Sequence, residues 1–109
     1  MSLPPLDDEM RQRASENAIA VRRTRAEWKL RLERGEVALS ELLEAADQQP
    51  ALAGMRITEV LGSLPGVGPR TTEHILSQCG IAASRRIRGL GSKQRAALLA
   101  RPWGRTVSP

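Results

Sequence analysis

One proline- and glycine-rich stretch decides the fold of this chain: Leu64-Pro65-Gly66-Val67-Gly68-Pro69-Arg70. Apolar pairs at helical distances flank it, Val60-Leu61 before the turn and Ile75-Leu76 after it. This spacing predicts a helix-hairpin-helix, in which Val67 plugs the core and the amides around Gly66 and Gly68 stay free to hold a phosphate. A plain connector is the alternative interpretation, because glycine and proline punctuate any helical protein.

A second block combines glycines with arginines: Ser84-Arg85-Arg86-Ile87-Arg88-Gly89-Leu90-Gly91-Ser92-Lys93. Arginine forks match phosphate oxygens and the edges of a narrow minor groove. A solvated run of charge is the alternative, but no acidic residue follows Glu73 to neutralise the block. We therefore predict DNA contacts from both blocks, at Leu64, Pro65, Gly66, Val67, Gly68, Arg70, Arg85, Arg86, Arg88, Gly89, Gly91, Ser92 and Lys93.

The charge of the chain is polarised. Its 109 residues include 17 Lys and Arg against 12 Asp and Glu, which gives a net charge of +5 and favours a polyanionic partner. All of the acidic residues lie at or before Glu73, whereas seven of the basic residues follow it. Phe and Tyr are absent and only Trp28 and Trp103 are aromatic, too few to stack the bases of a single strand. Duplex DNA is the predicted partner.

Catalytic and metal-binding signatures are weak. Cys79 is the only cysteine and His74 the only histidine, so the chain has no intrachain disulfide and no zinc-ligand spacing. We expect Cys79 to be a buried small side chain in a reducing compartment, and we expect no cofactor and no metal. A DNA-repair glycosylase or lyase of the helix-hairpin-helix type is one alternative, but position 2 is Ser2 rather than a nucleophilic proline, and neither lysine has an Asp at a suggestive spacing. A ribosome-associated RNA-binding module is a second alternative.

The sequence pattern divides the chain into four parts: a disordered leader (1–6), a long exposed basic helix (7–35), a compact helical DNA-binding domain (36–101) and a flexible basic tail (102–109). Val, Ile and Thr never alternate over the length of a strand, so the predicted fold is all-α. No apolar run reaches the ~18 residues of a membrane span, and no signal peptide is visible. We expect a cytoplasmic, nucleoid-located protein that makes no contact with a membrane and is monomeric in solution.

The long helix has clear end signals, and its basic residues have two interpretations. Asp7 is the expected N-cap, and Gly35 is expected to follow the last turn. Docking is expected through one or more of three apolar residues: Trp28, Leu30 and Leu32. Its basic residues Arg22, Arg23 and Arg25 either reach DNA as secondary contacts or pair with the glutamates of the same helix, Glu16, Glu27 and Glu33.

The compact part contains the signals of five short helices. Ser40, Thr58 and Ser92 are expected to be N-caps, and two further helices begin at Pro50 and Pro69, the latter with Gly68 as its N-cap. Stops are expected at Gly54, Gly80 and Pro102. The predicted core consists of Leu42, Leu43, Ala46, Leu52, Ile57, Val60, Leu61, Leu64, Ile75, Leu76, Ile87, Leu90, Ala96, Leu98 and Leu99.

From about Asp7 to Arg101 the chain resembles the actinobacterial integration host factor family. The resemblance rests on three motifs: Leu64–Gly68, the arginine-glycine block from Ser84 to Gln94, and Gly54-Met55-Arg56-Ile57. It implies a long N-terminal helix and a compact helix-two-turns-helix domain that binds and bends double-stranded DNA with little sequence preference.

The resemblance also implies roles for individual residues. Leu64, Pro65, Gly66 and Gly68 would act as a lid on the minor groove, while Arg85, Arg86 and Arg88 would contact the backbone. The implied protein is nucleoid-associated and not an enzyme. Pro69 stands where typical relatives carry Lys, Thr72 where they carry Ala, and the tail after Ala100 is unlike theirs; these departures fit a divergent paralogue.

Overall fold

The computed structural model describes residues 7–101, and over that range the chain is helical, as the sequence predicts. Six α-helices and one 3₁₀ turn follow each other in the order α1 (Asp8–Glu33), α2 (Leu39–Ala46), α3 (Pro50–Ala53), α4 (Ile57–Gly62), α5 (Pro69–Cys79), the 3₁₀ turn (Ile87–Gly89) and α6 (Ser92–Leu99). Within this part of the chain the only extended pairing is an isolated antiparallel bridge between Arg56 and Arg86. The predicted leader (1–6) and tail (102–109), with Pro102 and Trp103, lie outside the described residues.

The helix α1 begins and ends where the sequence indicates. The Asp7 carboxylate accepts a hydrogen bond from the Met10 amide at 2.7 Å, and Gly35 follows the last turn with a φ of 70°. Every residue from 8 to 20 is exposed, so the first half of α1 projects from a molecule 60 Å long and 28 × 24 Å across. The second half docks through the buried Leu32 and the half-buried Trp28, whereas Leu30 is 43% exposed and points outward.

Three predicted N-caps are wrong. The N-caps of α2, α4 and α6 are Ala38, Arg56 and Gly91, and the hydroxyl residues Ser40, Thr58 and Ser92 lie inside the first turn instead. In each case an acid or amide three residues after the N-cap accepts a hydrogen bond from the N-cap amide. The acceptors are Glu41 at 2.8 Å, Glu59 at 3.4 Å and Gln94 at 3.0 Å.

The core lies between the second half of α1 and helices α2 to α6. Its buried apolar residues are Leu32, Leu39, Leu42, Leu43, Ala46, Leu52, Met55, Ile57, Val60, Leu61, Leu64, Ile75, Leu76, Ile81, Ile87 and Leu98. Val67, Cys79 and Leu90 pack against it while only partly buried. Two core predictions are wrong, because Ala96 is exposed and Leu99 is 38% exposed; α6 inserts only Leu98. None of the helices in residues 7–101 is long and apolar enough to cross a membrane.

Candidate nucleic-acid interface

The arginine block is held against the start of α4 by backbone pairing. The Ile57 amide donates to the Arg85 carbonyl at 2.9 Å, and the Ile87 amide donates to the Met55 carbonyl at 2.9 Å. Arg56 and Arg86 therefore form the non-hydrogen-bonded pair between these two bonds, an arrangement that puts both side chains on the same side. Arg56 thus joins the arginine block, although sequence reasoning did not include it among the site residues.

Arg85 and Arg86 are fixed by backbone carbonyls. The half-buried Arg86 donates from Nη1 to the Gly54 carbonyl at 2.6 Å. Arg85 folds over Gly89, with Nη1 donating to the Gly89 carbonyl at 3.1 Å and Cδ at 3.0 Å from the position of a Cβ on that glycine. Both side chains thereby lose rotamer freedom before any ligand arrives, and Gly89 provides space rather than an exposed amide.

Both glycine amides of the second block have acceptors. The Gly89 amide donates to the Arg86 carbonyl at 2.9 Å, and the Gly91 amide donates to Gln94 Oε1 at 3.0 Å. Ser92 and Lys93 form the exposed first turn of α6. The amides of Ser92 and Lys93 find no acceptor in residues 7–101, so this block offers N–H groups at the start of α6 as well as guanidinium groups.

The long helix contributes a further arginine to the same place. Arg25 donates from Nε to the Ala51 carbonyl at 2.7 Å, which ties α1 to α3. Its Nη2 lies 2.7 Å from the position that a Cβ on Gly54 would occupy, and Nη1 of Arg88 lies 3.5 Å from that same point. Arg22 lies one helical turn before Arg25 and shares its face, while Arg23 does not. No ion pair joins Arg22, Arg23 or Arg25 to a described residue; Glu27 pairs with Arg31 at 3.6 Å.

We define the arginine cluster as Arg25, Arg56, Arg85, Arg86 and Arg88. None of these five makes an ion pair within residues 7–101, although many basic residues elsewhere do. Ion pairs elsewhere in the described chain join Asp8 to Arg11, Glu9 to Arg13, Glu59 to Lys29, Glu27 to Arg31, Glu36 to Arg34 and Asp47 to Arg95. Five guanidinium groups without a carboxylate partner in the described chain give this part of the molecule a concentrated positive charge.

The hairpin has the predicted geometry. Leu64 is buried and Val67 half-buried, so the turn is anchored in the core, and Gly66 has a φ of +76° that a residue with a side chain adopts only under strain. Gly68 is the N-cap of α5 and Pro69 its first residue. The amides of Gly66, Gly68, Arg70 and Thr71 find no acceptor in the described chain, and the Arg70 side chain is exposed.

The two blocks lie at opposite ends of α4. The arginine cluster lies at the N-terminal end of α4 and the hairpin follows its C-terminal end. Because α4 has six residues, its axis separates them by about 9 Å. In the described range, no three His, Cys, Asp or Glu side chains gather where they could hold a metal ion.

Comparisons with known proteins agree on one family. A family model described as S13-like H2TH domain matches residues 32–102. The integration host factor of Mycobacterium tuberculosis is 46% identical over 99 residues, which is 91% of this chain and 94% of that protein. The integration host factor of Streptomyces coelicolor is 44% identical over 108 residues, 99% of this chain and the whole of that protein.

A solved structure supports the same assignment. The structure of sIHF bound to an 8 bp palindromic DNA superposes with a TM-score of 0.75 at 41% identity, and the match covers 78% of this chain and 96% of that one. Fold, sequence identity and coverage therefore point the same way. The chain belongs to the integration host factor family of actinobacteria and carries its S13-like helix-two-turns-helix domain.

Proposed function

We propose that this chain is a non-enzymatic, nucleoid-associated protein that binds and bends duplex DNA with little sequence preference. One observation carries the proposal: the arginine cluster presents five guanidinium groups with no carboxylate partner in the described chain. A duplex is the polyanion with a dense row of phosphates, and arginine forks recognise phosphate without reading bases.

Family membership supports the same function. The curated relatives of this chain are named integration host factors, and the related sIHF structure contains DNA. A bacterial chromosome lies in the nucleoid, so the nucleoid in the cytoplasm is the location that we propose. We further propose that the protein acts without a cofactor and is a monomer before it meets DNA.

The two ends of α4 have separate roles in this proposal. Arg85, Arg86 and Arg88 contact the backbone, with Lys93 and Ser92 beside them at the start of α6. The hairpin residues Leu64, Pro65, Gly66, Val67 and Gly68 lie over the minor groove, and Arg70 stands at their edge. The free amides of the hairpin support this role, because N–H groups at a helix start hold phosphate oxygens.

A salt titration tests the proposal. If the protein neutralises about five phosphates, log K should fall with log salt with a slope of about −4.5, and affinity for a random duplex should fall several hundredfold between about 50 and 200 mM salt. A slope shallower than about −2 would contradict a phosphate-based grip. Competition with duplex RNA of the same length tests the RNA-binding alternative, and we expect DNA to be preferred.

A further inference from the structure

We propose that Arg25 and Arg88 hold one DNA phosphate between them above Gly54, so that the long helix α1 forms part of the DNA site. The inference rests on the proposed duplex-binding function and extends it to α1 and to a glycine outside both basic blocks. It makes the docked half of α1 a ligand-binding element as well as a support.

The geometry places two guanidinium groups around one point. Nη2 of Arg25 and Nη1 of Arg88 lie 2.7 and 3.5 Å from the position of a Cβ on Gly54. Charge-assisted hydrogen bonds between guanidinium and phosphate are about 2.7–2.9 Å long. Because both nitrogens lie within 3.5 Å of one point, a phosphate on the outer side of these groups is within reach of both, with one oxygen for each arginine.

The charges at this point are not balanced by the protein. Neither arginine pairs with a carboxylate in the described chain, and Arg56 and Arg86 add positive charge from the adjacent bridge. Two neighbouring guanidinium groups repel each other, and an anion bound to both replaces that repulsion with two attractions. The unliganded arrangement therefore favours an anion of the size and charge of a phosphate.

Arg25 is prepared for this role by its own contacts. Its Nε is committed to the Ala51 carbonyl at 2.7 Å, and the side chain is half-buried, so little rotamer entropy remains to be lost on binding. Its Nη atoms make no hydrogen bond to a described residue and remain available. Arg88 is exposed, and residues 7–101 likewise offer its guanidinium no hydrogen-bond partner.

Gly54 provides the space for the pair. Its φ of −85° is open to any residue, so the backbone conformation does not require glycine. A Cβ at this position would lie 2.7 Å from Nη2 of Arg25, a distance at which the guanidinium must move away. Because the displaced group is the far end of a flexible side chain, Gly54→Ala should fold and still lose the alignment of the two arginines.

The decisive experiment measures the affinity of Gly54→Ala for a random-sequence duplex, with Gly62→Ala as the matched control. A Cβ on Gly62 meets nothing within 4 Å, so this variant makes the same chemical change without moving an arginine. We expect about tenfold weaker binding for Gly54→Ala and unchanged binding for Gly62→Ala, since one charge-assisted hydrogen bond contributes at least this factor. Thermal unfolding of both variants checks that they are folded.

A second set of variants tests the shared phosphate without relying on Gly54. Arg25→Gln and Arg88→Gln should each weaken binding about tenfold and reduce the salt slope by about one, and the double variant should lose much less than the product of the two. In a protein that already carries Arg25→Gln, Gly54→Ala should cause no further loss of affinity, because no Arg25 guanidinium remains to be displaced. Arg11→Gln, the same change in the exposed half of α1, should leave binding unchanged.

The outcomes separate this inference from the proposed function. If Gly54→Ala and Arg25→Gln bind duplex DNA as well as the wild-type protein does, the proposed phosphate site above Gly54 is wrong. The proposed duplex binding would not be affected by that result. Strictly multiplicative losses for Arg25→Gln and Arg88→Gln would also overturn it, because the arginines would then contact different groups. If the wild-type protein does not bind duplex DNA at any salt concentration, both proposals fall.

Discussion

The two ends of α4 offer different chemistry to the same proposed partner. At the N-terminal end, the arginine cluster supplies charge through side chains that are held by backbone carbonyls, as with Arg86 on Gly54 and Arg85 on Gly89. At the C-terminal end, the hairpin supplies amides that find no acceptor in residues 7–101, and Arg70 is the basic residue of its own sequence block. Charge gives affinity that salt weakens, whereas amide dipoles fixed in a turn give position with little dependence on salt.

Glycine is required at the two ends of α4 for different reasons. Gly66 is needed for its φ of +76°, and a Cβ there would meet nothing within 4 Å. Gly54 and Gly89 have ordinary backbone angles and are needed because arginine side chains cross them. We therefore expect that substituting Gly66 weakens DNA binding through backbone strain. Substituting Gly54 or Gly89 should weaken it by displacing an arginine side chain.

The largest effect is expected at the charged end. Arg85→Gln with Arg88→Gln should weaken duplex binding about a hundredfold at moderate salt and reduce the salt slope by about two, because two phosphate contacts are lost. Gel shifts or fluorescence anisotropy over a range of salt concentrations measure both quantities. Arg86 is left in place because its bond to the Gly54 carbonyl makes it part of the fold.

The matched control for this pair removes two charges from the exposed half of α1. Arg11 and Arg13 each pair with a neighbouring carboxylate, Asp8 and Glu9 respectively. Their replacement by Gln should change affinity less than about threefold, because only the weak long-range field is altered. An equal loss in both double variants would mean that net charge, rather than the arginine cluster, determines affinity.

A smaller effect is expected from strain in the hairpin. Gly66→Ala forces a side chain into the left-handed region, at a cost of about 1–2 kcal/mol, so the turn should change shape and affinity should fall several-fold. The salt slope should stay the same, since no cation is lost. Gly62→Ala is the control, because Gly62 lies just before the hairpin, has no left-handed φ, and a Cβ there also meets open space. If Gly62→Ala is equally harmful, strain at Gly66 is not the cause.

Adding a charge to the hairpin should make the two ends of α4 more alike in how they bind DNA. Pro69→Lys places a cation at the first position of α5, beside the free amides, and should strengthen binding a few-fold at low salt while making the slope steeper by about one. Pro69→Gln controls for the loss of the proline ring, whose fixed φ suits a helix start. Equal behaviour of the two variants would show that the hairpin lies too far from phosphate to use a charge.

The sequence predicted the positions of the helices better than it predicted their N-cap residues. Helical spacing and the glycine and proline stops located all six helices, because periodic apolar residues and φ-restricted residues act locally. The N-caps predicted at Ser40, Thr58 and Ser92 are wrong because each helix begins one or two residues earlier, where the side chain three residues on accepts a hydrogen bond from the N-cap amide. Glu41, Glu59 and Gln94 were the available signal.

The arginine cluster was predicted only in part, because its members come from separate parts of the sequence. Arg85, Arg86 and Arg88 stand out in the sequence as a run of charge, but Arg56 stands alone and Arg25 lies in a helix rich in basic residues. Only tertiary pairing shows that Arg56 faces Arg86 and that Arg25 crosses Gly54. A local pattern marks Arg31, because Glu27 lies four residues before it and pairs with it, whereas Arg25 has no acidic residue three or four positions away. The bond from Arg25 to the Ala51 carbonyl is a tertiary contact that the sequence does not show.

The smallest effect is expected from an ion pair outside the arginine cluster and the hairpin. Arg95 donates to both oxygens of Asp47, at 3.1 and 3.2 Å, and this hydrogen bonding lowers the pKa of the Asp47 carboxyl, assisted by the charge of Arg95. A carboxyl whose pKa is lower in the folded than in the unfolded state stabilises the fold when ionised. That contribution is present above the ordinary carboxyl range and is lost as pH falls through the folded pKa.

Asp47→Asn should therefore lower Tm slightly at neutral pH, and its unfolding curve should converge with that of the wild type in acid. The effect should be small, because the pair is exposed and screened by salt. The salt slope of DNA binding should be unchanged in Asp47→Asn and also in Arg95→Gln, which alters the net charge in the opposite direction. A difference in Tm that persists at low pH would assign the effect to hydrogen-bond geometry instead of charge. A change in slope in either variant would extend the DNA site beyond the arginine cluster and the hairpin.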